Sequence, residues 1–217
     1  MKVAVIDYEA GNIKSVCGIF RLAAAGSSEI EIFSTNKPDR IAYCDKLILP
    51  GVGSCLNCYN KLNSIRNMID AIRYAVTIRK VEFLGICVGM QLLASVCLED
   101  DKKVGFGWLP GVVTKLDSVT ARVPHMGWNA LKFFKNHHLF SLLPSVDYAC
   151  KAYFVHSYEY IPTNYDNVLA ITMYDKAIVA AACHRNVIGV QFHPEKSHWV
   201  GVRFCKNFLS WRAPAAD

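Results

Sequence analysis

Cys87 lies between two glycines in the run Phe83-Leu84-Gly85-Ile86-Cys87-Val88-Gly89-Met90-Gln91. An apolar segment stops at the cysteine, and an apolar helical pattern begins behind it. A strand that turns sharply into a helix presents a nucleophile at its apex in this way. Gly85 and Gly89 let neighbouring backbone approach where a side chain would clash. The free N–H groups of a helix start would point at the sulfur, as a nucleophilic thiolate requires. Farther on, Phe192-His193-Pro194-Glu195 follows a second apolar run, residues 187–190. His193 can take a proton, and Glu195 can orient the imidazole and stabilise its charged form. A buried cysteine alone is usually a small core residue, and a lone His-x-Glu says less still. Together they meet the requirement that a nucleophilic cysteine have a histidine and a carboxylate elsewhere in the chain.

The elements that must hold these groups can be read from periodicity. Residues 2–7 read as a strand. Asn12 suits a helix N-cap, with Ile13, Val16, Cys17 and Phe20 at helical spacing behind it. Residues 29–33 alternate charged and apolar, as a half-buried strand does. Residues 46–49 form a short strand ending at Pro50-Gly51. Leu62, Ile65, Ile69, Ile72 and Val76 fall on one helix face, and residues 81–86 lead into the cysteine turn. This alternation predicts an α/β fold whose mostly parallel sheet is covered on both faces. The second half is richer in strands: 112–116, 130–134, 149–158, 168–173, 178–183 and 187–191, an antiparallel extension. A closing helix over about 198–211 should bury Val202, Phe204, Cys205, Phe208 and Leu209, and 213–217 should fray.

Bulk properties narrow the classes. A chain of 217 residues suits one domain, 1–217, with a sizeable core. An apolar content of 53% excludes disorder. Nine cysteines, with Met1-Lys2 leading straight into an apolar strand, read as free thiols in a reducing cytoplasm. No apolar run is long enough to span a bilayer. The net charge of +6 is moderate. The densest basic patch, 132–138 with Phe133 and Phe134 interleaved, fits a solvated hairpin better than a nucleic-acid site. The basic excess suits an acidic partner surface or anionic substrates.

Gly-Ile-Cys-Val-Gly-Met-Gln with a later Phe-His-Pro-Glu resembles the class I glutamine amidotransferases. Pro124-His125-Met126-Gly127-Trp128-Asn129 and Tyr153-Phe154-Val155-His156-Ser157-Tyr158 are similar to the glutaminase subunits of imidazole glycerol phosphate synthases. So are Asp7-Tyr8 through Ala10-Gly11-Asn12, and Pro50-Gly51-Val52-Gly53. The motifs run in order over nearly the whole chain. The resemblance implies a flavodoxin-like fold and hydrolysis of glutamine to glutamate and ammonia by Cys87, His193 and Glu195. It implies oxyanion donors at the backbone N–H groups of Val52 and Val88. Glutamine contacts carried over are Gly53, Gln91, Glu99, Ser157 and Tyr158. Glu99 would meet the α-ammonium, and Ser157 and Tyr158 would offer mainly backbone groups. Asn12, Pro124, Trp128, Tyr153 and Lys196 would face a synthase (cyclase) subunit. That partner would use the ammonia to make imidazole glycerol phosphate and an aminoimidazole carboxamide ribonucleotide in histidine biosynthesis. An alternative customer is an enzyme that amidinates or aminates surface sugars. No cofactor, metal, nucleic acid or membrane is implied.

The chain departs from the resembled pattern in places. Glu9 stands where glycine is usual, bringing backbone strain or a new charge to a partner-facing turn. Val88 replaces leucine, which leaves the backbone donor intact. Ser54-Cys55-Leu56-Asn57-Cys58 replaces a stretch that usually holds an aromatic and a glycine. Cys55-x-x-Cys58 has the spacing of a redox or zinc motif, but no second pair completes a zinc site.

Overall fold

The computed structural model describes residues 1–99, 104–144 and 150–214. Ala149, where one strand was expected to start, and the last residues of the tail, 215–217, lie outside them. In chain order the elements are β1 (Lys2–Ile6), α1 (Ile13–Ala23), β2 (Glu31–Thr35), α2 (Pro38–Ala42), β3 (Lys46–Gly51), α3 (Cys55–Ser64), α4 (Met68–Arg73), β4 (Glu82–Cys87) and α5 (Val88–Gln91). There follow β5 (Ala94–Cys97), β6 (Leu109–Lys115), β7 (His125–Ala130), β8 (Lys132–Phe133), β9 (Lys151–His156), β10 (Tyr158–Pro162), β11 (Val168–Tyr174), β12 (Lys176–His184), β13 (Val187–Val190) and α6 (His198–Ser210).

The main sheet has the order β2-β1-β3-β4-β13-β12-β11-β8. From β2 to β13 the neighbours are parallel, and from β13 onward they are antiparallel. Open α/β sheets bind ligands beyond the carboxyl ends of their parallel strands. The ends of β3, β4 and β13 lie side by side, with Gly51 opposite Cys87 and Val190 opposite Ile86. Pro50-Gly51-Val52-Gly53, Cys87 and His193 therefore emerge on one rim. Two smaller sheets stand beside it, β10-β6-β5 and β7-β9.

Helices α1 and α6 pack together, with Phe20 edge-on to Phe208 at 6.0 Å between ring centroids. Lys46 is wholly buried under the end of α6. Its Nζ donates to the Trp211 carbonyl at 2.6 Å and meets Glu82 Oε2 at 3.4 Å. Burial lowers its pKa to about 8, against the opposing pull of Glu82.

Several expectations need correction. The helical face from Leu62 to Val76 is not one helix. The chain breaks between α3 and α4 at Asn67, which adopts φ +62°, and α4 runs into a π-helical turn, Tyr74–Ile78. Leu62, Ile72 and Val76 are still buried, whereas Ile65 and Ile69 are only partly so. The helix behind Cys87 is a single turn. The strand expected at 130–134 shrinks to β8, because the pairing goes to β7, which runs antiparallel to β9. The strand expected over 149–158 is two, β9 and β10, split at Ser157. Val202 is only half-buried. Among the described residues, no helix is long and apolar enough to cross a membrane.

Candidate active site

The strand-to-helix turn at Cys87 is held in an unusual backbone shape. Cys87 has φ +54° and ψ −113°, a conformation costly for a side-chain-bearing residue. The glycines around it are required by contact rather than by their own torsions. A Cβ on Gly89 would sit 1.9 Å from the Leu49 carbonyl oxygen, and one on Gly85 would sit 2.5 Å from the Gly89 carbonyl oxygen. The turn from β4 into α5 is pressed directly onto β3.

His193 follows β13 and begins a short 3-10 turn, Pro194–Lys196. Its Nδ1 lies 2.8 Å from Glu195 Oε1, with both side chains almost fully buried. The carboxylate can only accept, so Nδ1 carries the proton. Nε2 is buried and, among the described residues, no partner stands in full hydrogen-bonding geometry to it. Burial pulls the His193 pKa down, but the Cys87 sulfur and the Glu195 carboxylate overcome it and raise it to about 10. Both neighbours favour the imidazolium over the neutral ring. Ser197 steadies the turn: its hydroxyl donates to the His193 carbonyl at 2.7 Å and accepts from the Tyr153 N–H at 3.0 Å.

A cavity of about 380 Å³ opens over Cys87. Its wall brings together Cys87, His193, Val52, Val88, Gly53, Gln91, Glu99, Ser157 and Tyr158, together with Pro124 and Lys196. Glu195 stands behind His193, and Asn12, Trp128 and Tyr153 lie off the wall. Gly53 has φ +87°, the left-handed region that favours glycine. Glu99 accepts from the Cys55 N–H at 2.7 Å, which fixes its carboxylate at the N-terminus of α3.

Gln91 is buried and committed to the protein. Its Nε2 donates to the Tyr158 carbonyl at 3.0 Å and to Gln191 Oε1 at 3.1 Å. The Tyr158 carbonyl also takes the His156 Nδ1–H at 2.8 Å, so both its lone pairs are used and any contact with a ligand falls to other atoms. The Ser157 carbonyl accepts from the Leu116 N–H at 2.8 Å.

Three residues near the sulfur were given no role by the sequence, although Val155 and His156 lie inside a quoted motif. Val155 and His156 line the cavity, and the Val155 carbonyl lies 3.8 Å from Cys87 Sγ. Gln191, fully buried, directs Nε2 at Cys87 Sγ over 3.7 Å. The residue just before Phe-His-Pro-Glu, it reads in sequence only as the end of an apolar strand. A buried glutamine there was the available signal.

The surface beside the cavity carries Trp128, 42% exposed, stacked on His198 at 4.8 Å and edge-on to Tyr153 at 5.8 Å. Lys196 Nζ lies 5.3 Å above the Tyr153 ring. Asn12 is exposed and caps α1 through Ser15 N at 3.4 Å. The thiols of Cys55 and Cys58 are buried against Gln91 Oε1 (3.8 Å) and the Val52 carbonyl (3.3 Å).

The family model for class I glutamine amidotransferases matches residues 4–210. The chain belongs to the class I glutamine amidotransferases. Among amidotransferase relatives, the imidazole glycerol phosphate synthase subunit HisH of Brucella melitensis is 39% identical over 215 residues, 98% of this chain and 100% of that one. The same subunit of Zymomonas mobilis is 41% identical over 211 residues, 96% of this chain and 95% of that one. The fold is shared with a solved glutamine amidotransferase at 18% identity and TM-score 0.72, covering 95% of this chain and 96% of the other. A glutamine amidotransferase of Thermotoga maritima shares it at 17% identity and TM-score 0.61, covering 90% of this chain and 76% of that one. In this amidotransferase Glu9 adopts φ +61°, the left-handed conformation that glycine would enter without strain.

Proposed function

We propose that this amidotransferase is the glutaminase subunit of an imidazole glycerol phosphate synthase, supplying ammonia to a separate cyclase in histidine biosynthesis. The observation that carries the chemistry is the strained Cys87 turn and a His193–Glu195 pair brought together at one cavity sized for a small polar substrate. The near-full-length likeness to HisH subunits carries the choice of pathway over sugar modification.

In the proposed reaction the Cys87 thiolate adds to the side-chain carbonyl carbon of glutamine. A C–S bond forms and the carbonyl π pair moves onto oxygen. The N–H groups of Val88 and Val52 stabilise that oxyanion. The intermediate collapses, the C–N bond breaks, and His193 Nε2 gives its proton to the departing ammonia. Water, deprotonated by the now neutral His193, attacks the thioester. The thiolate leaves, and glutamate is released. Glu195 holds the imidazole with Nδ1–H turned away from the substrate, so Nε2 is the atom that moves protons. Glu99, fixed at the α3 N-terminus, receives the α-ammonium.

Lys196 and Pro124 lie on the cavity wall, and Trp128 and Tyr153 lie just outside it. A partner docked on that face would receive ammonia before it is protonated by bulk water. The test is steady-state glutamine hydrolysis with and without a ligand-bound cyclase. The reading expects slow turnover alone and at least ~10-fold acceleration in the complex, about 1.4 kcal/mol on the barrier. Full activity of the isolated chain, unaltered by the cyclase, would instead mark a free-standing amidase.

A further inference from the structure

A directed chain of hydrogen bonds ends on the Cys87 sulfur. Its polarity is set at one point. The Tyr158 carbonyl has no hydrogen to give, so the Gln91 amide must turn its NH2 toward it. The same NH2 reaches Gln191 Oε1 at 3.1 Å, which fixes the carbonyl end of the Gln191 amide. The Gln191 NH2 is then left facing Cys87 Sγ at 3.7 Å. Cys55 Sγ, 3.8 Å from Gln91 Oε1, satisfies the other end of the Gln91 amide and agrees with this orientation. Neither amide can flip without setting two acceptors or two donors against each other.

We propose that Gln191 is a further catalytic residue: its Nε2–H donates to the Cys87 thiolate, and the Gln91 and Tyr158 contacts hold it in that orientation. This rests on Cys87 being the nucleophile. A thiolate can only accept, and the Val155 carbonyl 3.8 Å away presents it with another acceptor. A donor fixed beside the sulfur offsets that contact. It is needed most in hydrolysis of the thioester, when the C–S bond breaks and the electron pair returns to sulfur. At that moment His193 has just taken a proton from water, and the sulfur needs a donor that is not itself transferring one. A fully buried amide in a prearranged orientation supplies this without reorganisation.

Gln191→Met keeps length and volume and removes the N–H. With the ligand-bound cyclase present, kcat for glutamine should fall at least ~10-fold while KM stays within about 3-fold. Second-order alkylation of Cys87 by iodoacetamide should slow by at least ~5-fold. A residue that merely fills space would leave both rates within about 2-fold of the parent, and that result overturns the proposal. A second measurement needs no substitution. In the parent chain, the Gln191 side-chain amide proton should shift upfield in NMR when Cys87 is carboxamidomethylated, since a thioether accepts far more weakly than a thiolate. An unmoved resonance also overturns it. Cys87→Ala separates the two levels: if that variant keeps glutaminase activity, the nucleophile assignment fails, and if it is dead while Gln191→Met is unaffected, only the role of Gln191 fails.

Discussion

Gly51 at the end of β3 sits directly opposite Cys87 at the end of β4, and a Cβ on Gly51 would lie 2.7 Å from the Gly89 amide nitrogen. The loop expected to supply one oxyanion donor and the turn that carries Cys87 are therefore built against each other. Neither can shift independently, so the relative placement of sulfur and donor is a property of sheet packing.

That packing makes the turn intolerant of a single methyl group. Gly89→Ala would force its Cβ onto the Leu49 carbonyl. It should lose at least about 3 kcal/mol of stability in urea denaturation, or fail to fold. Gly18→Ala is the contrast. It lies inside α1 with nothing within 4 Å of the new Cβ, and should gain roughly 0.5–1 kcal/mol.

Glu9→Gly should relieve the left-handed strain at φ +61°. The Lys61 Nζ contact at 2.6 Å is to the Glu9 carbonyl, so it survives the change. The strain relieved is about 1–2 kcal/mol, set against about 1 kcal/mol of added chain entropy in the unfolded state. A net gain of up to about 1 kcal/mol in thermal or urea unfolding is expected, and a clear loss would show that the carboxylate has a role of its own.

The grouping of Cys87 with the His193–Glu195 pair was legible because each half of it is a short contiguous motif with chemistry in its residue types. Cys87 and His193 are 106 positions apart, but both end apolar runs, and parallel strands end on a common rim. What was not legible depends on contacts between such runs. Gln191 looks like a strand terminus until the Gln91 amide, 100 residues away, is seen to orient it. The break at Asn67 was hidden because the apolar spacing of Leu62, Ile72 and Val76 continues across it. The strand β7 was masked by Pro124 and Gly127, which local propensity reads as loop. Pairing with β9 overrides them.

His156 gives the fold a dependence on acid. Burial lowers its pKa from 6.5 to about 3, with the Tyr158 carbonyl bond opposing and His125 and His193 adding to the drop. The unfolded chain binds this proton below about 6.5, the folded chain only near 3. The contribution is thus fully present above 6.5 and is lost as pH falls toward 3, with a slope approaching about 1.4 kcal/mol per pH unit. His156→Asn retains a donor for the Tyr158 carbonyl and removes the titration. Urea denaturation from pH 7.5 to 4.5 should show a shallower decline in that variant than in the parent.

Trp128→Ala should weaken the complex with the cyclase or uncouple its activation, by roughly 2 kcal/mol if Trp128 is an anchor of the interface. Alkylation of Cys87 should proceed in the isolated variant as in the parent. Titration calorimetry or gel filtration of the two proteins reads the first effect, and labelling kinetics read the second.

The most direct test of the account is the site of covalent labelling. Nine thiols are present, eight of them buried, and only Cys87 combines a positive-φ turn, a facing imidazole and an open cavity. A glutamine-mimicking electrophile should inactivate the protein with one equivalent bound, and peptide mass mapping should place it on Cys87. Glutamine should protect against it, and His193→Ala should slow it at least ~10-fold. Inactivation that tracks labelling of Cys55 or Cys58, with Cys87 unmodified, would contradict the assignment of the nucleophile and with it the proposed reaction.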